Sequence, residues 1–360
     1  MPWSKQRRLS FWLCLLLIWT HTGAIAASEH AVVLVYHHVA NDTPASTSVS
    51  PELFAAHLAY LAQADFTVLS LGSIVKLLKQ QQPLPPRTVA LTFDDAYRSV
   101  LTTALPMLAA RNWPFTVFVN TAATDRGAAP YMNWSQLEEL VAAGVEIGNH
   151  SHTHAHLVAQ QPDESKQQWQ LRVNQDITAA HTRLQEKLGV ETELFAYPYG
   201  EFTPELTALV AALDLTGVAQ HSGAIDQFSD FLALPRFAMA GRYAELDNFV
   251  QRVNARPLHL QANPRNGYVV PAPDTLPQLE LQLMRDQPNP TQLNCFAGGH
   301  GRMGLEQTAT NQWQLRFDKP LNVGRTRINC TLPDSDRSGQ FLWWSYLLMQ
   351  PTADGKWYTW

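Results

Sequence analysis

Cysteine, charge and long apolar runs are scarce in this chain, and each scarcity narrows what it can be. Three cysteines occur in 360 residues. Cys14 lies in the leading segment, so the rest of the chain keeps one isolated pair, Cys295 and Cys330. That excludes a multi-bridge framework, and in an oxidising compartment it reads as a single disulfide. Charged residues make up 16% of the chain, with a formal net charge of −5; this excludes a basic nucleic-acid surface. The mildly acidic balance is compatible with a polymer that becomes cationic. There is no internal repeat and no low-complexity tract, which excludes repeat architectures.

The long apolar run that does occur is N-terminal. Lys5, Arg7 and Arg8 precede an apolar stretch over residues 11–19, and Ala24-Ile25-Ala26 supplies small residues for cleavage. The pattern predicts a secretory signal peptide over residues 1–27, with a core too short for an ordinary membrane span. Its removal takes away three positive charges and no negative one. The expected location is secreted or periplasmic, with no integral span after cleavage.

What is present is a globular composition, 46% apolar, and a length that suggests two domains. The centre is Val89-Ala90-Leu91-Thr92-Phe93-Asp94-Asp95. A short unbroken apolar run reads as a strand buried on both faces, and active sites of parallel folds lie at the C-terminal ends of strands. Two adjacent carboxylates disfavour each other's ionisation unless a cation holds them. The alternative is that they begin the next helix, favoured there by its dipole. A cation site is suggested by four histidines in seven residues: His150, His152, His154 and His156. A helical turn would put His150 and His154 on one side; an extended segment would put all four on one face. A divalent metal takes two or three such ligands plus a carboxylate, leaving one position open for water.

Strand and helix patterns alternate around this centre. Residues 31–36 form an apolar run ending at His37-His38, and Ser50-Pro51 starts a helix. A helix is predicted over 97–111, a strand over 115–119, and a Ser135/Glu138 capping box before the helix through Ala143. Residues 145–149 lead into the histidines, and a long helix follows over about 164–188. Strands are predicted at 194–197, stopped by Pro198-Tyr199-Gly200, at 216–219 and at 232–237. This order predicts a parallel sheet with right-handed crossovers, and polar groups at strand ends favour a barrel. It occupies residues 28–255. A proline-rich linker over 256–275 then leads to a small all-β, sandwich-like domain over 276–360, with strand patterns at 313–317 and 341–346.

Thr92-Phe93-Asp94-Asp95, His150-Ser151-x-x-His154 and Tyr197-Pro198-Tyr199-Gly200 together resemble the first three motifs of the polysaccharide deacetylases, the NodB-homology group or carbohydrate esterase family 4. Order and spacing agree over roughly residues 31–255. The resemblance implies a distorted (β/α) barrel that removes acetyl groups from N-acetylated sugars. Two departures stand out. Ala196 occupies the place of the usual arginine of the third motif, and the late Leu-x-His motif is not recognisable. Both departures resemble the subgroup that acts on poly-β-1,6-N-acetylglucosamine, as do the early Tyr36-His37-His38 and the late Pro235-Arg236.

On this reading Asp95, His150 and His154 hold a divalent metal, Zn²⁺ or another transition ion, and Asp94 is the general base. The resemblance implies that the backbone N–H of Tyr199 stabilises the oxyanion. Arg236 is expected to orient Asp94 in place of the arginine missing at Ala196. Candidates for the general acid are His37, His38, His221 and His259. His37 is chosen, because it directly follows a buried strand and first and last strands of a closed barrel are neighbours. The partner is an N-acetylated polysaccharide: an exopolysaccharide of the β-1,6 type, with chitin or peptidoglycan as the alternative. Two rivals come from other classes, a glycoside hydrolase using the acid pair and a non-catalytic carbohydrate-binding protein. Adjacent strand residues point to opposite faces, which disfavours the first. The intact acids and histidines argue against the second.

Overall fold

The computed structural model describes Met1 and residues 29–264 and 267–358. The expected signal peptide lies outside the described residues, apart from Met1. Among the described residues no helix is long and apolar enough to cross a membrane.

The first part of the chain is organised on two adjacent parallel strands, His30–Tyr36 and Thr88–Phe93, which pair from Ala31–Thr88 to Tyr36–Phe93. Every residue of Thr88–Phe93 is buried, which is why its sequence shows no polar alternation. Thr116–Val119, Glu146–Asn149, Leu194–Ala196 and Thr216–Val218 follow in parallel order on one side. Ala224–Asp226 adds antiparallel to His30–Tyr36, so the sheet is mixed.

The sheet curls. Ala31, Val33, Ala90, Phe118, Ala196, Val218 and Ile225 come from six strands and share one apolar cluster with Ile74 and Leu78 of the helix Leu71–Lys79. Strands that are not neighbours can meet in this way only across the inside of a barrel. Helices cover the outside, with Phe54, Leu58 and Leu61 of Pro51–Gln63 on one flank and Trp169, Val173 and Ile177 of Lys166–Leu188 on another. A single segment bridges the remaining gap: Leu234 pairs with Val218, and Phe237 pairs with Leu34. Arg236 sits between those two pairings. The expected strand at 232–237 is therefore a closing segment whose regular pairing is confined to Phe237–Ala238.

Local differences from the sequence reading have local causes. The capping box belongs to Asn133 and Gln136, not Ser135 and Glu138; Asn133 accepts from the Gln136 N–H, and the Gln136 side chain accepts from the Asn133 N–H. The expected helix at 97–111 starts with a wider π-helical turn, Val100–Ala104, before Leu105–Ala109.

Residues 256–264, read as linker from their prolines, contain the strands Arg256–Pro257 and Leu260–Pro264. Proline lies at an end of each strand, where a missing N–H costs little. The C-terminal region forms two further sheets, one centred on Gly324–Pro333 and Phe341–Gln350, the other on Gln278–Leu283 and Gln312–Arg316. Gly324–Pro333 alternates buried and half-buried residues, and Ile328 and Leu332 meet Leu279, Leu281 and Leu315 of the other sheet in one core. Cys295 and Cys330 are cross-strand neighbours within that core and form a disulfide.

Candidate active site

Thr88–Phe93 delivers Asp94 and Asp95 to the C-terminal end of the barrel, and the two carboxylates face different partners. Asp94 is 0% exposed, and Arg236 donates to it twice, from Nη1 to Oδ1 at 2.7 Å and from Nη2 to Oδ2 at 2.8 Å. Gln220 Nε2 adds a third hydrogen bond to Oδ2 at 3.1 Å. The Arg236 side chain is itself fixed, donating to the Ala219 carbonyl at 2.9 Å and to Thr92 Oγ1 at 3.1 Å. Burial pushes the Asp94 carboxyl up, but the Arg236 guanidinium, with smaller contributions from His150 and His37, holds the group below the usual carboxylate range.

Asp95 turns the other way through a left-handed backbone, with φ 71°. Its Oδ1 lies 3.1 Å from His154 Nε2 and 3.6 Å from His150 Nε2. Burial again acts to raise the carboxyl, and the two histidines hold it far below its ordinary value.

The histidine segment is neither helical nor extended. Ser151 and His154 both take left-handed φ values, 62° and 57°, a conformation that side chains with a Cβ adopt only when their surroundings enforce it. Here the enforcement is visible. Asn149 donates to the Ile177 carbonyl and accepts from the Ser151 N–H, tying the strand end to the long helix. Asp176 on that helix accepts from the N–H groups of His152 and Thr153, and Ser151 Oγ accepts from the His154 N–H. His152 points elsewhere, with Nδ1 2.8 Å from Thr121 Oγ1. Gly148 is needed just upstream, because a Cβ there would lie 2.4 Å from the Phe118 ring.

Asp95, His150 and His154 form the one cluster of this kind among the described residues, with ligand atoms all within 4.8 Å of one another. The donor chemistry fits a divalent transition metal. His150 Nδ1–H donates to the Ala196 carbonyl at 2.8 Å, which leaves the Nε2 lone pair facing Asp95. Burial pushes the His150 imidazole down to about 4, so it is neutral near pH 7, as a ligand must be.

The remaining predicted residues gather at the same end. His37 is half-buried, and a charge on it acts on both Asp94 and Asp95. His38 is buried and stacked on Tyr97 at 3.6 Å. Tyr199 has φ 60°, meets His154 edge-on at 4.7 Å and stacks on His156 at 3.9 Å. Two alternatives for the acid fare differently. His259 pairs with Asp226 at 2.7 Å, beside the start of His30–Tyr36 and so at the other end of the strand. His221 is pushed down to about 3 by burial, with Arg327 and Arg236 adding to the effect, and cannot carry a proton near pH 7. Gln220 and Glu201 were not legible as site residues, and Thr92 was legible only as part of the Thr92-Phe93-Asp94-Asp95 motif; Glu201 carried one signal, a carboxylate directly after the Pro-Tyr-Gly turn.

Known proteins resemble the chain in family and in fold. Residues 81–218 match the family model described as polysaccharide deacetylase. A poly-beta-1,6-N-acetyl-D-glucosamine N-deacetylase of Escherichia coli (strain K12) is 25% identical over 219 residues, covering 51% of this chain and 31% of that protein. The chain thus spans about a third of that relative's length. Among solved structures, IcaB from Ammonifex degensii is 24% identical with a TM-score of 0.56, over 64% of this chain and 99% of that one; it shows the shared fold. The BpsB deacetylase domain from Bordetella bronchiseptica is 26% identical with a TM-score of 0.50, over 58% of this chain and 96% of that one.

Proposed function

Because residues 81–218 carry a polysaccharide deacetylase domain, we propose that the chain hydrolyses the acetamide groups of an N-acetylglucosamine polysaccharide, releasing acetate. Poly-β-1,6-N-acetylglucosamine is the substrate this reading favours, since the relative named for it shares 25% of aligned residues. The observation that carries the reaction type is the Asp95–His150–His154 cluster beside a second, separately held carboxylate.

Asp95, His150 and His154 would hold a divalent ion, Zn²⁺ in this reading. When bound, it polarises the acetamide carbonyl and acidifies water. Asp94 takes the proton from the attacking water. Arg236 favours its ionised form, and Arg236 and Gln220 together aim the carboxylate, so the base needs no reorganisation during the reaction. The Tyr199 N–H donates to the oxygen that becomes negative. His37, half-buried and directly after Tyr36 in the chain, donates a proton to the departing amine. His150 Nδ1 stays protonated against Ala196 throughout, fixing the ring.

The catalytic unit is read as residues 28–255, with 256–275 joining it to an all-β unit over 276–360. The expected setting is the periplasm or the cell exterior. The test is acetate release from β-1,6-linked, chitin and peptidoglycan oligomers. Acetate should appear fastest from the β-1,6 polymer; new reducing ends without acetate would instead support a glycoside hydrolase.

A further inference from the structure

Glu201 is a buried carboxylate to which the hydrolytic steps assign no task. It follows the Pro-Tyr-Gly turn directly and is 1% exposed. Its Oε2 lies 2.8 Å from His156 Nδ1 and accepts from Trp357 Nε1 at 3.3 Å. Its Oε1 accepts from the Tyr358 hydroxyl at 2.7 Å, and Arg325 Nε is 3.9 Å away. Three of these four partners belong to the C-terminal region. Arg325 also donates to the Tyr199 carbonyl and lies over the Tyr199 ring at 5.9 Å.

A buried carboxylate is costly without such partners, so its position follows theirs. The partners are in turn anchored. Arg325 lies on Gly324–Pro333, a strand of the C-terminal sheet. The neighbouring strand packs onto the barrel: Trp343 meets Phe237 edge-on at 5.3 Å, and Ser345 Oγ donates to the Ser222 carbonyl at 2.7 Å. These contacts flank the closing segment that carries Arg236. The left-handed peptide at Tyr199 is therefore held from the barrel on one side and from the C-terminal unit on the other. The Gly200 and Glu201 N–H groups close the turn locally onto Tyr197 and Pro198.

We propose that the C-terminal unit is a working part of the active site: Arg325, Trp357 and Tyr358 are positioning residues that, through Glu201 and the Tyr199 carbonyl, hold the left-handed backbone of Tyr199 and with it the direction of its N–H, the amide donor. The claim rests on the deacetylase reading for the donor's role, but the positioning itself is a property of the turn.

The test uses the full chain and three variants. Tyr358→Phe removes one hydroxyl, Arg325→Ala removes the contact to the carbonyl, and Lys356→Ala is a control on an exposed residue of the same tail. Metal content, melting temperature, kcat and KM for acetate release, and amide hydrogen exchange over residues 197–201 are measured together. Tyr358→Phe should lower kcat about tenfold with KM within about twofold, since the donor acts in the transition state. Exchange at Gly200 and Glu201 should quicken, while metal content and exchange in the barrel strands stay as they are. Arg325→Ala should show the same pattern more strongly, and Lys356→Ala none of it. Unchanged kcat and unchanged loop exchange in Tyr358→Phe would overturn the proposal, as would losses that merely track metal content or melting. If Arg325→Ala does not fold, Tyr358→Phe decides alone. If the unaltered chain releases no acetate from any N-acetylated polymer, the deacetylase reading has failed, and loop exchange in Tyr358→Phe still decides the positioning.

Discussion

Arg236 grips Asp94 through two parallel hydrogen bonds, 2.7 and 2.8 Å, with neither side chain exposed to solvent. A guanidinium matches a carboxylate in this two-point manner and an ammonium does not. Arg236→Lys should therefore loosen the aim of Asp94 and relieve part of the depression of its pKa. A carboxyl held low stays ionised until the pH falls through its folded value. Raising that value makes the base lose its charge at a higher pH. The acid limb of the pH–rate profile should move upward, with the plateau rate down by about tenfold or more. An unchanged profile would remove Arg236 from the account.

Asp94→Asn keeps the shape and one acceptor for Arg236 but cannot take a proton. Acetate release should fall by about 10²-fold or more, with metal content retained. Measuring metal by emission spectrometry beside acetate release separates loss of the base from loss of the site. Substantial turnover by the variant would end the assignment of Asp94 as base.

His37→Ala separates the general acid from everything else. The leaving amine of an amide needs a proton and the leaving group of an activated ester does not. Amide cleavage should fall by about 10²-fold, ester cleavage by much less, and metal binding should not change. Equal losses on both substrates would show that His37 acts otherwise.

The disulfide is checked away from the site. Cys295 and Cys330 are 35 residues apart in sequence, and closing a loop of that length is worth about 4 kcal/mol in the chain-entropy account. Thiol titration of denatured, unreduced protein lacking its first 27 residues should find none. The Cys295→Ser, Cys330→Ser double variant should melt lower without losing activity per folded molecule. Two titratable thiols would contradict the bond.

Much of the barrel was legible because its strands are buried on both faces. Thr88–Phe93 has no polar residue facing solvent, so the run of apolar residues and its abrupt end at Asp94 could both be read. The pairing of Asp95 with His150 and His154 was legible as chemistry. The conformation that achieves it was not, since the left-handed turns at Ser151 and His154 depend on Asn149 and on Asp176 from a distant helix. Contacts across long stretches of chain were the least visible. Gln220 reaches Asp94 from 126 residues away and Tyr358 reaches Glu201 from 157, and neither position lies in a motif. The strands at 256–264 were hidden by proline, whose effect depends on whether its position needs an N–H.

The most direct test of the account is a parallel measurement of bound metal and acetate release in the unaltered chain and in His150→Ala, His154→Ala and His152→Ala. The account predicts about one divalent ion per unaltered chain, loss of both ion and acetate release in His150→Ala and His154→Ala, and retention of both in His152→Ala, whose ring faces Thr121. Acetate release at full rate from metal-free protein, or loss of the ion in His152→Ala with retention in His154→Ala, would contradict it.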